Sequence, residues 1–276
     1  MSSSALLRGD FTLPRSSGEL RVVQITDTHL TGSPAGELLG MNTARSARAV
    51  IDAAKRSGDI DCFLITGDIA ADEQPAAYEQ LEEMLGNTPS LWLPGNHDDI
   101  RSKVALYEPH LRRRLRTPSW DLLMLETQVQ GQVGGALSVA EIDALAQAVD
   151  DAAAENKHLL VATHHPLRSM ASSWLDEQSV SNAAEALRVL APHAHRSVII
   201  SGHVHQESDA VVSGIRMLTT PSTCVQFAPQ SEDFALDTLP PGYRSLRLFA
   251  DGSVHTEVVR VSDENNRPLI GSSGYH

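Results

Sequence analysis

Six short apolar runs punctuate this chain: Arg21-Val22-Val23-Gln24-Ile25, Cys62-Phe63-Leu64-Ile65, Ser90-Leu91-Trp92-Leu93, Asp121-Leu122-Leu123-Met124-Leu125, His158-Leu159-Leu160-Val161-Ala162 and Ser197-Val198-Ile199-Ile200. Each has the length and composition of a buried strand. Ala-rich amphipathic stretches of helix length lie between many of them: Thr43 to Arg56, Pro75 to Leu85, Val139 to Ala154 and Ser181 to Leu190. Such alternation predicts α/β layers, with strands side by side and helices covering them. The last third breaks the rhythm. Val211 to Leu218, Tyr243 to Phe249 and Ser253 to Val261 read as strands with few helices between, and Asp251-Gly252 is a hairpin turn signal. A second sheet with antiparallel parts, packed on the first, is therefore expected.

Five of the six runs stop at the same kind of residue. The first ends in Asp27-Thr28-His29, the second in Gly67-Asp68 and the third in Gly95-Asn96-His97-Asp98. The fifth ends in His164-His165-Pro166 and the sixth in Gly202-His203-Val204-His205. Ligands of open α/β sheets bind beyond the carboxyl ends of the strands, so several strand tips can aim side chains at one point. Asp27 and His29 are two apart, as are His203 and His205. In extended backbone such pairs point the same way. Carboxylate, imidazole and amide oxygen together suit borderline divalent metals. Seven such groups exceed what one tetrahedral ion needs, and they fit two ions about 3.5–4 Å apart bridged by one carboxylate. A single Gly-Asp or His at a strand end is usually a cap. The joint pattern of five tips makes the metal centre the expectation.

Composition narrows the partners. The 276 residues carry a formal net charge of −13, which disfavours a long nucleic-acid footprint. A small anion remains possible, since a metal pair reverses the field locally. The two cysteines, Cys62 and Cys224, are far apart and read as reduced thiols. Ala5-Leu6-Leu7 is too short for a signal-peptide core, and no apolar run approaches the ~20 residues that span a bilayer. The expectation is a cytoplasmic protein without nucleic-acid or membrane partners. It is expected to form one domain over residues 1–276, with a core from about 13 to 264 and frayed Ser- and Gly-rich ends.

The five blocks, in their order from Asp27 to His205, resemble the calcineurin-like metallophosphoesterase superfamily. Further segments are similar to the bacterial class III 3′,5′-cyclic AMP phosphodiesterases: Gln24 to Leu30, Leu38 to Thr43, Ser173 to Asp176 and Pro221 to Phe227. The resemblance runs to about Val261. It implies an α/β fold of two packed mixed sheets flanked by helices, in four αββα layers. It implies a pair of divalent ions drawn from iron, manganese, magnesium and zinc. Asp27, His29, Asp68 and His205 would hold one ion, and Asp68, Asn96, His164 and His203 the other. His97 would reach the substrate phosphate, with His29, Asp68, Asn96 and His205 bordering the substrate. His165 would have a packing or supporting role.

The implied reaction is hydrolysis of 3′,5′-cyclic AMP to 5′-AMP, lowering the cellular level of that nucleotide. The ion pair makes hydroxide available at neutral pH, and His97 protonates the departing 3′ oxygen. Asp98 is expected to orient the His97 imidazole, the other reading being a turn residue. Asn42, residues 167–176 and residues 222–227 are candidates to border the nucleotide. Trp174 and Phe227 would either stack on adenine or simply pack. Arg112-Arg113-Arg114 with Arg116 reads as a solvated helix face rather than a phosphate patch. Rival readings are another phosphodiesterase of the superfamily, for glycerophosphodiesters, 2′,3′-cyclic nucleotides or dinucleoside polyphosphates, or a non-catalytic protein that kept the metal site. His97 argues against the last, because a structural site needs no proton donor.

Overall fold

The computed structural model describes residues 6–13, 18–71, 74–100, 102, 107–272 and 274. The elements in chain order are β1 (Asp10–Thr12), β2 (Glu19–Ile25), β3 (Glu37–Leu38), β4 (Met41–Asn42), α1 (Thr43–Arg56), β5 (Cys62–Thr66), α2 (Pro75–Leu85), β6 (Ser90–Leu93), β7 (Arg114–Arg116) and β8 (Trp120–Met124). There follow α3 (Val139–Ala154), β9 (His158–Thr163), α4 (Ser173–Asp176), α5 (Ala183–Leu190), β10 (Ser197–Ser201), β11 (Ser208–Val212), β12 (Ile215–Thr219), β13 (Gln226–Phe227), β14 (Leu236–Asp237), β15 (Gly242–Phe249) and β16 (Val254–Arg260). Two mixed sheets dominate. One has seven strands in the order β1-β7-β8-β9-β10-β12-β11, the other five in the order β16-β15-β2-β5-β6.

The six apolar runs are all strands, yet they do not share a sheet. β2, β5 and β6 pair in parallel in the smaller sheet, while β8, β9 and β10 pair in parallel in the larger. The last third divides as well. β15 runs antiparallel to β2, and β12 runs parallel to β10. The run Val211 to Leu218 is a hairpin, broken by Ser213 and Gly214 with positive φ of 53° and 81°. The expected second sheet therefore exists, but both sheets draw on both parts of the chain.

Side-chain alternation locks the layers together. Leu160 and Ala162 of β9, Leu122 and Met124 of β8 and Ile200 of β10 face the core shared with the smaller sheet. Leu159, Val161, Leu123 and Ile199 point the other way, to α3 and α5. Helix α1 buries Ala47, Val50, Ile51 and Ala54 at i, i+3, i+4 and i+7. Burial of Val50 or Ile51 contributes about 1.5–3 kcal/mol each. Asn42 caps this helix through Oδ1, which accepts from the Arg45 amide.

Several expectations need correction. The ends are not frayed where they are described: Leu6 and Leu7 belong to the main core, β1 pairs with β7, and Asn266 accepts from the Asn42 amide. The expectation for residues 1–5, 273, 275 and 276 lies outside the described residues. The arginine cluster lies on and beside β7, where acidic partners neutralise it. Arg113 pairs with Glu141, Arg114 with Asp121 and Asp151, and Arg116 with Glu155. Cys62 and Cys224 are both buried and free. Among the described residues no helix is long and apolar enough to cross a membrane.

Candidate metal centre

Five parallel strands, β2, β5 and β6 from one sheet and β9 and β10 from the other, end at the same edge of the sandwich, and each delivers the polar residues that follow it. Asp27, His29, Asp68, His164, His203 and His205 are buried there, while Asn96 and His97 remain half-buried. The strand tips are tied across the gap. Gln24 of β2 donates to Thr66 of β5 and to the Ser201 carbonyl of β10. The His203 amide donates to the Asp27 carboxylate at 3.0 Å.

The paired ligands do not use extended alternation. Asp27, His29, Asp68, His203 and His205 all have positive φ, between 43° and 66°. Left-handed backbone costs a non-glycine residue about 1–2 kcal/mol, and such strain gathers at functional sites. The turns leave room for little else. A Cβ on Gly95 would lie 2.1 Å from Asp68 Oδ1, and one on Gly67 (φ 94°) 2.5 Å from His164 Nδ1.

Two groups of acceptor atoms converge. In the first, His205 Nε2 is 3.3 Å from both His29 Nε2 and Asp27 Oδ1. In the second, Asn96 Oδ1 is 3.1 Å from both His164 Nε2 and His203 Nδ1, which lie 3.3 Å apart. Asp68 Oδ2 stands between the groups, 3.4 Å from His164 Nε2 and 3.8 Å from His29 Nε2. Metal–ligand bonds of about 2.1 Å set tetrahedrally or octahedrally leave ligand atoms about 3.0–3.4 Å apart. Backbone carbonyls choose the tautomers. His164 Nδ1 meets the Thr66 carbonyl and His205 Nδ1 the Val225 carbonyl, each at 2.8 Å. Each ring therefore turns its Nε2 lone pair inward. Lone pairs packed this closely repel unless a cation sits among them, so the residues fit a divalent-metal centre.

The titration of these groups carries the same message. Burial pushes Asp68 upward, but His164, His97 and His29 hold it well below the carboxylate range. Asp27 is lowered against its burial by His205 and His164. Burial works against a charge on His164, yet Asp68 and Asp27 raise it to about 9. Burial lowers His29 to about 3 and takes His203 well down. Burial holds His29 and His203 neutral, as metal-ligating imidazoles must be, and the cluster keeps two carboxylates charged out of water.

Three neighbours of the cluster have defined partners. The carboxylate of Asp98 accepts from the amides of Ile69, Ala70 and Gly95 and from the Tyr78 hydroxyl. These bonds clamp the loop after β5 to the loop after β6, instead of orienting the His97 ring. Burial, with the charge of Asp68, raises Asp98 to about 6. Asn42 caps helix α1 with its Oδ1 and donates from Nδ2 to the Pro34 carbonyl. Phe227 stacks on His205 at 4.1 Å and meets Trp174 edge-on, which is packing. His165 packs beside His164, with Nδ1 at the Thr127 hydroxyl and Nε2 at the Val133 carbonyl. Tyr78 and Thr66 were invisible as site residues, because they act through partners far away in the chain; Val225 lay within the candidate segment 222–227, but its link to His205 was not legible. Thr26, whose hydroxyl donates to the Asp27 carboxylate, was detectable as its direct neighbour.

A two-sheet sandwich with buried carboxylates and imidazoles converging at one edge defines a metallophosphoesterase. The model of the calcineurin-like phosphoesterase family matches residues 20–207, and the chain belongs to that family. It is 41% identical over 272 residues to the 3′,5′-cyclic adenosine monophosphate phosphodiesterase CpdA of Escherichia coli K12, covering 96% of this chain and 98% of that one. The protein of the same name from Haemophilus influenzae is 35% identical, covering 98% and 100%. The fold is similar to that of a dimetal phosphatase from Danio rerio, with a TM-score of 0.61 at 14% identity over 88% of this chain and 99% of that one.

Proposed function

We infer that this chain is a 3′,5′-cyclic AMP phosphodiesterase that releases 5′-AMP. The observation that carries the reading is its identity of 35–41% over nearly the full length to curated enzymes of that name. The convergent acceptor atoms support it. The centre would hold two divalent ions, one on Asp27, His29 and His205 and the other on Asn96, His164 and His203, with Asp68 able to serve both. Iron, manganese, magnesium and zinc all suit this donor set.

The bound ions supply Lewis-acid polarisation of the phosphoryl group and lower the pKa of water toward ~7. The chain's own residues do the rest. Their loops hold His29, Asn96 and His97 around the phosphate, with His97 half-buried at the mouth beside the His29 ring, 5.0 Å between centroids. A water that has already given one proton to bulk solvent bonds through its oxygen to phosphorus as the P–O3′ bond breaks. The electron pair goes to O3′, which takes a proton from His97. Asp98 serves by clamping the two loops that carry Asp68 and His97.

Steady-state kinetics on cyclic AMP, with metal analysis of the same preparation, tests this reading. The expected product is 5′-AMP. Formation of 3′-AMP, or no turnover by protein reloaded with divalent metal, would overturn it.

A further inference from the structure

On sequence alone, residues 222–227 are candidates to border the nucleotide. Their hydrogen bonds point to the metal centre. The Ser222 hydroxyl donates to the Asp27 carbonyl at 2.7 Å and accepts from the Cys224 amide at 2.7 Å. The Val225 carbonyl receives Nδ1–H of His205, and the Phe227 ring lies flat against the His205 ring, 13° from parallel. One short loop therefore touches a ligand candidate of β2 and grips one of β10 by nitrogen and by face.

Gln226 organises this loop from within. It is 2% exposed. Its Nε2 lies 2.9 Å from the Ser222 carbonyl, 3.0 Å from that of Cys224 and 3.1 Å from that of Val225. Three carbonyl dipoles converging on one point repel each other, and the amide NH2 is the donor that reconciles them. The other end of the side chain is fixed too. Gln226 Oε1 accepts from Arg260 Nη1 at 3.2 Å, and the same guanidinium nitrogen donates to the Pro240 carbonyl at 2.7 Å. A continuous line of bonds runs from the edge strand β16 through Gln226 and the Val225 carbonyl to His205.

We propose that Gln226, backed by Arg260, is a positioning residue of the metal centre: it places the Val225 carbonyl, which fixes the tautomer and aim of His205. The inference rests on the metal-centre reading above. It assigns Gln226 no contact with substrate. Groups that orient a metal-ligating imidazole commonly change metal affinity by 10–100-fold when removed. Gln226 acts one bond further out, so a change near the low end of that range is expected.

The test uses chelator-stripped full-length protein titrated with Mn²⁺ by calorimetry, beside ¹⁵N spectra of the labelled histidine rings. Gln226→Met is expected to raise the Kd for Mn²⁺ about tenfold and to move the His205 ring signals toward a mixture of tautomers. Arg260→Met is expected to shift both in the same direction by less. The double variant should bind no more weakly than Gln226→Met alone, since Arg260 acts through Gln226. A loop with a merely structural role would lower the melting temperature of the stripped protein and leave the Kd unchanged. A parent-like Kd in folded Gln226→Met therefore overturns the proposal. If Gln226→Met does not fold, a parent-like Kd in Arg260→Met overturns it. A parent protein that binds no Mn²⁺ would instead strike down the metal-centre reading, and this inference with it.

Discussion

The backbone N–H of His97 donates to Oδ1 of Asp68 at 2.9 Å, while Oδ2 of the same carboxylate faces His164 and His29. The proposed proton donor thus hangs from the proposed bridge. Asp68→Ala is expected to release divalent metal and lower kcat/KM by more than ~10²-fold, beyond the usual effect of an outer-shell change. Metal content by mass spectrometry, measured with the rate, decides it. A variant that keeps two ions and its activity would remove Asp68 from the bridge.

His97→Ala separates proton donation from binding. Loss of a general acid costs about 10²–10⁴-fold in kcat. Cyclic AMP leaves through an alkoxide and needs that proton; the p-nitrophenolate of bis-p-nitrophenyl phosphate does not. The loss should be large on the first and small on the second, with metal content unchanged. Equal losses on both would make His97 a binding group only.

Asp98 and Tyr78 make the clamp between two site loops, with the Tyr78 hydroxyl 3.0 Å from the carboxylate. Asp98→Asn exchanges a charged acceptor of several N–H bonds for an amide and should cost about 1–3 kcal/mol of stability. Tyr78→Phe should cost about 1 kcal/mol. Urea denaturation of metal-free protein measures both. If Asp98→Asn keeps full stability while kcat falls, orientation of His97 returns as its role.

Burial pushes the Cys224 thiol up to about 12, and the Cys62 thiol is raised as well. The fold favours the neutral thiols over thiolate. Their contribution to stability is complete below the unfolded thiol range of about 8.5. It is lost as pH rises from there through the folded values. Iodoacetamide at pH 8 should leave both cysteines untouched in native protein and alkylate both in urea. Rapid labelling of the native chain would contradict the buried placement.

The strands and the polar residues at their tips were legible because both signals are local. A run such as Leu159-Leu160-Val161-Ala162 declares a strand buried on both faces, and His164 follows two residues later. The hairpin at Asp251-Gly252 was equally plain, and β15 does pair with β16. Ser213-Gly214 carried the same kind of signal and was passed over within an apolar stretch. The Arg112 to Arg116 cluster misled because its acidic partners Asp121, Glu141, Asp151 and Glu155 come later in the chain.

Sequence by itself determined which donor atoms the chain owns, their order and their attachment to strand ends, since a strand's periodicity and its terminating residues lie within a few neighbours. Tertiary structure decided how the six runs divide between two sheets and that Asp27, His29, Asp68, His203 and His205 sit in left-handed backbone. It also decided that Thr66 and Val225 choose the tautomers of His164 and His205. Each of those outcomes depends on pairing between residues far apart in the chain, as with His164 and Thr66, 98 positions away. Such pairings exist only once the layers have packed.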